Sequence, residues 1–226
     1  MTGGPLAVCL YSPANLNRMS GSSIWVQAVA EALQAGPRVH LTVPSHSAER
    51  RGLVTDALRA LERVEVIDPH DLRRYVPPGG LSTEEALDLI ERLDATRHFE
   101  AFILRSFTTC LAAIRRPRLR GRLWSCYILE PERDGEDPRH LAEMTAIADA
   151  SRYLVVQSEE MRALLEALLP AARGKTIILP PAIPPQGDGP TGPAPFVRRL
   201  LYAGKFHPFY PVGRIIQALT ELRPAF

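Results

Sequence analysis

The chain has 226 residues, 46% of them apolar, and a formal charge of +2. That apolar share fills a sizeable core, the length allows one large domain or one domain plus part of another, and so small a charge makes no electrostatic case for a nucleic-acid partner. No run approaches the roughly 18 apolar residues of a membrane span, and the start, MTGGPLAVCL, has no basic segment ahead of its apolar stretch, so a soluble chain in the cytoplasm is expected.

Short apolar runs alternate with longer helix-patterned segments, which is what a parallel sheet with crossover helices requires. Strands are predicted at residues 6–11, 39–43, 64–67, 102–104, 123–128, 153–156 and 176–179. Most are apolar throughout instead of alternating, as in strands covered by helices on both faces. The expected fold class is α/β, a doubly wound parallel sheet of about seven strands. Cys9, Cys110 and Cys126 are odd in number and widely spaced, and two sit in apolar runs, which favours core positions over disulfides or zinc ligands.

The helices carry their own signals. An apolar helix is predicted over residues 24–33. Ser82 with Glu85 forms a capping-box pattern, and Ala86, Leu89, Ile90 and Leu93 then share one face. Asp137 followed by Pro138 suits an N-cap and first helical position, opening a helix to about residue 148. Ser158, with Glu159 and Glu160, opens the next helix through Leu169, where Pro170 stops it. The stretch PPAIPPQGDGPTGPAP, residues 180–195, is too rich in proline and glycine for helix or sheet to propagate, and reads as a linker, with a structured surface loop as the alternative. Beyond it RRLLYAGKFHPFYP, residues 198–211, reads as a new strand running into a loop, with a helix over 212–222.

In open parallel sheets ligands bind beyond the carboxyl ends of the strands, near the point where strand order reverses. The loop after the first strand, SPANLNRMSGSSIW, brings Ser20, Gly21, Ser22 and Ser23 to a helix N-terminus, where free N–H groups suit an anion. Simple capping by Ser20 or Ser22, with Gly21 easing the turn, explains the same residues. Neither G-x-G-x-x-G nor G-x-x-x-x-G-K-[ST] is present, which argues against a Rossmann dehydrogenase and a P-loop nucleotidase. Arg105, ending the fourth strand, can pair with a phosphate or carboxylate or can simply be solvated. Glu130, Glu132 and Asp134 follow the fifth strand and offer an acid/base group, a hold on a hydroxylated ligand, or only a solvated loop. Five arginines between Arg115 and Arg122 form either plain surface or a peripheral contact with anionic lipid or a phosphorylated acceptor. The histidines show no ligand spacing, so no metal is expected.

Taken in order, the Ser/Gly loop, ADASRYLVVQSEEMRALL (148–165), TIILPPAIPP (176–185) and RLLYAGKFHP (199–208) resemble the retaining glycosyltransferase family 4 of the GT-B fold. The resemblance implies a Rossmann-like acceptor-binding domain over residues 1–180, a linker over 181–197 and, from 198 to 226, the truncated start of a nucleotide-sugar-binding domain. It implies transfer of a sugar from a nucleotide-diphosphate sugar to an acceptor with retention, poor or absent in this fragment, and no cofactor beyond the sugar nucleotide. Gly21, Ser22 and Lys205 match the family's diphosphate contacts. Asn17, Ser20, Arg105 and Glu130 are the candidate acceptor or substrate contacts.

Two departures stand out. Pro211 occupies a position where a second basic residue is common, and Ile128, Leu129 and Glu130 replace a frequent His-Asp pair. They keep two other readings open: a non-catalytic acceptor-binding subunit of a split glycosyltransferase, and a GT-B nucleotide-sugar epimerase. Phe196, Phe206, Phe209 and Tyr210 in the terminal remnant are expected to be mobile or to pack on a second copy as a homodimer.

Overall fold

The structure, a computed structural model, describes residues 4–36, 38–46, 52–69, 80–129 and 137–180, with Gly213, Ile216, Gln217 and Thr220 beyond them. The chain divides into two compact units, Met1–Pro185 and Gln186–Phe226. In the second unit the described residues are helical, with Thr220 Oγ1 donating to the Ile216 carbonyl at 2.9 Å. They fall within the helix expected over 212–222. The predicted linker over 181–197, the strand after it, Lys205 and the aromatic remnant lie outside the described residues.

The first unit alternates strand and helix. In order it runs β1 (Leu6–Tyr11), α1 (Gly21–Gln34), β2 (Val39–Pro44), α2 (Leu53–Arg59), β3 (Val64–Ile67), α3 (Thr83–Arg97), β4 (Ala101–Arg105) and α4 (Phe107–Ala113). It continues with β5 (Leu123–Cys126), α5 (Pro138–Ala150), β6 (Tyr153–Val156), α6 (Glu159–Leu168), a 3-10 turn over Pro170–Ala172 and β7 (Thr176–Ile178). All seven strands form one sheet in the order β3-β2-β1-β4-β5-β6-β7, and every neighbouring pair is parallel. This is the α/β doubly wound, Rossmann-like sheet that the apolar runs predict. Strand order reverses between β1 and β4, which pair with Tyr11 opposite Leu104.

Alternation along each strand feeds two core layers, because successive side chains point to opposite faces. Val8, Leu10 and Ile103 join Val26, Val29 and Ala30 of α1 and Val54 and Leu58 of α2 on one face. Cys9, Tyr11, Phe102 and Leu104 join Leu87, Ile90 and Leu93 of α3, Ala113 of α4, Met144 and Ile147 of α5 and Leu165 of α6 on the other. With helices on both faces, most strand interiors are apolar, the exceptions including His40 and Thr42 in β2, Glu65 in β3 and Ser125 in β5. All three cysteines are buried and free.

Two boundaries differ most from the sequence reading. The strand expected over 123–128 ends at Cys126, because Tyr127 takes φ 58°, a left-handed conformation that extended backbone cannot continue through. The helix expected over 24–33 begins three residues earlier. Ser20 is its N-cap, receiving the Ser23 N–H on its Oγ at 3.2 Å while its own N–H donates to Ser23 Oγ at 2.8 Å, so Gly21 and Ser22 belong to the first turn.

The arginine-rich segment is less uniform than its sequence. Arg116 meets Asp88 at 2.7 Å, Glu91 at 3.0 Å and Glu84, and Arg122 meets Asp94 at 2.9 Å while lying over the Phe102 ring. Only Arg115, Arg118 and Arg120 of the five point outward as exposed residues. Among the described residues no helix is long and apolar enough to cross a membrane.

Candidate functional site at the strand-order switch

The period of the strand decides where Arg105 goes. It is two residues beyond Ile103 and so shares that residue's face, the one α1 covers. On α1, Ser22 and Trp25 are three apart and therefore neighbours on the helix surface. The two elements meet there: Arg105 Nη1 donates to Ser22 Oγ at 2.7 Å, and the guanidinium carbon lies 5.5 Å from the centre of the Trp25 ring. From the end of β5, Tyr127 closes the other side, its ring centre 4.7 Å from that carbon. Trp25 and Tyr127 meet edge to face at 5.4 Å. The guanidinium is thus held against two aromatic rings, each attracting a cation through its electron-rich face.

This clamp is rich in donors. Gly21 and Ser22 present first-turn N–H groups for which no helical partner exists, and the Ser20–Ser23 capping box has already satisfied its own pair. Arg105 Nε and Trp25 Nε1 are buried without a hydrogen-bond partner. A Cβ built on Gly21 meets nothing within 4 Å, so the space beside the first turn is open. Burial holds the Arg105 pKa below its ordinary value, against the opposing pull of Tyr127 and Cys126. The Tyr127 phenol is pushed up, mainly by burial, with the Gln157 side chain and Arg105 acting the other way.

The backbone is strained beside the clamp. Ser106, between β4 and α4, has φ 87° and ψ 146°, a region open mainly to glycine. It is fixed by its N–H to the Cys126 carbonyl at 3.0 Å and by its Oγ, which caps α4 through the Thr109 N–H at 3.3 Å.

The other candidates fare differently. Ser20 is spent on its capping box, which also draws Ser23 Oγ to the Arg18 carbonyl at 2.6 Å. Asn17 is an anchor: its Oδ1 accepts from Thr55 Oγ1 of α2 at 3.0 Å, and Thr55 also reaches the Leu16 carbonyl at 3.1 Å. Glu130 and Lys205 lie outside the described residues. Trp25 and Tyr127 are site residues that the sequence reading passed over as apolar filling; the signal available for Trp25 was its spacing of three from Ser22. Hollows lined by Glu85, Asp88 and Arg118 and by His40, Glu65 and Arg97 lie elsewhere, on α3 and at the amino ends of the strands. Arg97 there is already paired with Glu65. No group of three or more His, Cys, Asp or Glu side chains comes together as a metal site among the described residues.

No protein-family profile matches the chain, and no curated protein matches it. Solved structures do. Sucrose-phosphate synthase from Thermosynechococcus elongatus superposes with a TM-score of 0.51 at 14% identity, over 77% of this chain and 48% of that one. A second structure of that synthase gives 0.51 at 13% identity over 77% and 88%. UGT2 of Phytolacca americana, solved with UDP-2-fluoro-glucose and pterostilbene, gives 0.52 at 14% identity over 82% of this chain and 55% of that one. The chain spans about half the length of the first synthase structure and of UGT2. At such identities the likeness is one of fold: the first unit has the Rossmann-like α/β architecture found in these glycosyltransferases.

Proposed function

We propose that the chain is the acceptor-side portion of a GT-B glycosyltransferase that moves a sugar from a nucleotide-diphosphate sugar to an acceptor with retention. The observation that carries this reading is the donor-rich opening at the β1/β4 switch, formed by Gly21, Ser22 and Arg105, in a fold shared with glycosyltransferases. When the bond to the anomeric carbon breaks, negative charge grows on the departing diphosphate. The Gly21 and Ser22 N–H groups, at the positive end of α1, are suited to receive that charge, and the missing Cβ of Gly21 lets a phosphate approach the backbone.

In this proposal the acceptor is held at the carboxyl ends of β1, β4 and β5, with Ser20, Arg105 and Glu130 as its contacts and Asn17 fixing the loop. Residues 198–226 belong to the donor-binding domain, and Lys205 is a contact to the donor diphosphate. The test uses the complete product of the coding region, incubated with UDP-, GDP- and ADP-sugars and a set of acceptors. Release of nucleoside diphosphate with an anomerically retained product supports the reading. A nucleotide-sugar panel that is neither transferred nor hydrolysed removes it, and free-nucleotide release with an epimerised sugar and no acceptor points to the epimerase instead.

A further inference from the structure

Arg105 differs from the other inward-turned arginines. Arg97 pairs with Glu65, Arg116 with Glu84, Asp88 and Glu91, and Arg122 with Asp94. Arg63 donates to the carbonyls of Gln34 and Gly36. Arg105, half-buried, has one hydroxyl, Ser22 Oγ, and two aromatic faces. Among the described residues no carboxylate compensates it. Its Nε is sealed and unpartnered, while Nη2 has no hydrogen bond and is not sealed. Beside it Trp25 is 6% exposed and keeps a buried, unpartnered Nε1–H. The unsatisfied donor that a ligand can reach is Nη2, and it belongs to a cation with no carboxylate beside it among the described residues, so the chemistry that completes the cluster is an acceptor of negative charge. The planar fork of a guanidinium matches phosphate and carboxylate oxygens, and the two rings hold it at a fixed angle in advance.

We propose that the Arg105–Trp25–Tyr127 clamp is an oxyanion subsite that selects a hydroxylated acceptor carrying a phosphate or a carboxylate. The assignment to the acceptor rests on the sugar-transfer reading, since Arg105 rises from the unit given to the acceptor there; the oxyanion preference rests on the clamp alone. Ser22 links the subsite to the first turn of α1, so the anionic end of the acceptor is recognised one side chain away from the N–H groups proposed for the diphosphate. Arg105 is then a specificity determinant.

The experiment uses one sugar frame with three endings: glucose 6-phosphate, glucuronate and glucose. The chain has two tryptophans, so its indole N–H signals in a 15N NMR spectrum are two, and Trp124→Phe identifies that of Trp25. Saturable movement of the Trp25 signal with either charged sugar, absent with glucose, is expected. Arg105→Gln should weaken that binding about ten- to a hundredfold, the loss typical of a charge-assisted hydrogen bond. Arg105→Lys should keep only part of the affinity, because a point charge replaces the fork. Ser22→Ala serves as a second variant should Arg105→Gln fold poorly, and is expected to weaken binding less.

Equal binding of glucose and the charged sugars, no response of Trp25 to either charged sugar, or an Arg105→Gln protein that binds as the wild type does would overturn the oxyanion subsite. UDP is the fourth arm. If UDP competes with the charged sugars and is itself lost in Arg105→Gln, Arg105 belongs to the donor and the acceptor assignment fails. Failure of sugar transfer across a donor panel would leave the charged-sugar titration intact, so the two readings fall separately.

Discussion

Ser22 and Arg105, 83 residues apart in sequence, are joined by a 2.7 Å hydrogen bond that ties the first turn of α1 to the end of β4. The bond lies where strand order reverses, and it fixes the spacing between a helix N-terminus and a cation. Both are positive features, and neither is neutralised by a carboxylate among the described residues. The hydrogen bond and the two aromatic faces hold the cation but supply no counter-charge, and an anionic ligand would supply it.

The capping boxes at Ser20 and Ser82 have the same reciprocal pattern but different surroundings. Ser20→Ala and Ser82→Ala are each expected to lower unfolding free energy by about 1 kcal/mol in urea titrations. Only Ser20→Ala should also weaken binding of charged sugars, since only that cap holds the loop of the site. Equal effects of both on binding would contradict the placement.

Ser106 combines strain with a cap. Replacing it with alanine removes the cap and keeps φ at 87°, whereas glycine removes the cap and relieves the backbone. Ser106→Gly should therefore be more stable than Ser106→Ala by about 1–2 kcal/mol, measured by chemical denaturation. The reverse order would mean the conformation is not strained.

Asp94 is a buried junction: its carboxylate accepts from both terminal nitrogens of Arg122, at 3.1 and 2.9 Å, and from the Phe99 N–H at 2.9 Å. Asp94→Ala strips the guanidinium of its carboxylate, leaving it the Phe99 and Arg118 carbonyls, and leaves the Phe99 N–H without its partner, so it should cost about 2–3 kcal/mol. Breaking the exposed Arg139–Glu143 pair on α5 with Glu143→Ala should cost no more than about 0.5 kcal/mol.

Burial pushes all three cysteine thiols up, Cys110 to about 12 and Cys9 and Cys126 well above the ordinary value of 9.0. Each group is protonated in the folded chain at a pH where the unfolded chain has lost the proton. Stability from this source is complete below pH 9 and falls as pH rises from there toward 12, by about 1.4 kcal/mol per unit for each thiol involved. Urea midpoints at pH 8, 9.5 and 10.5 test the trend, and triple Cys→Ala or Cys→Ser replacement should flatten it. In native protein at pH 8 a thiol reagent should find no rapidly reacting cysteine.

Much of the fold was readable because the central strands β1 and β4 are buried on both faces and appear as continuous apolar runs, while the outer strands keep enough apolar residues to stand out; strand starts are matched within a residue. Capping chemistry located α3, α5 and α6 through Ser82, Asp137 and Ser158. The short helices α2 and α4 were not named. Gly52 gives α2 no side-chain cap, and its place is set by tertiary contact, since a Cβ there would meet the Asn17 backbone at 2.4 Å. At the site, Arg105 and Ser22 were legible as single residues at strand and helix ends. Their bond and the aromatic clamp were not, because they depend on which face α1 presents to β4 and on a left-handed Tyr127 that sequence patterns do not announce.

The central claim, that the open side of Gly21 receives the departing diphosphate, is tested most directly by Gly21→Leu in the complete coding-region product. The added Cβ meets nothing within 4 Å in the folded chain, so the melting temperature should stay within about 2 °C of wild type. Nucleoside diphosphate release from the preferred sugar nucleotide should fall at least about a hundredfold, the scale of losing donors to a developing anion. An unchanged release rate in a folded Gly21→Leu protein would contradict the claim.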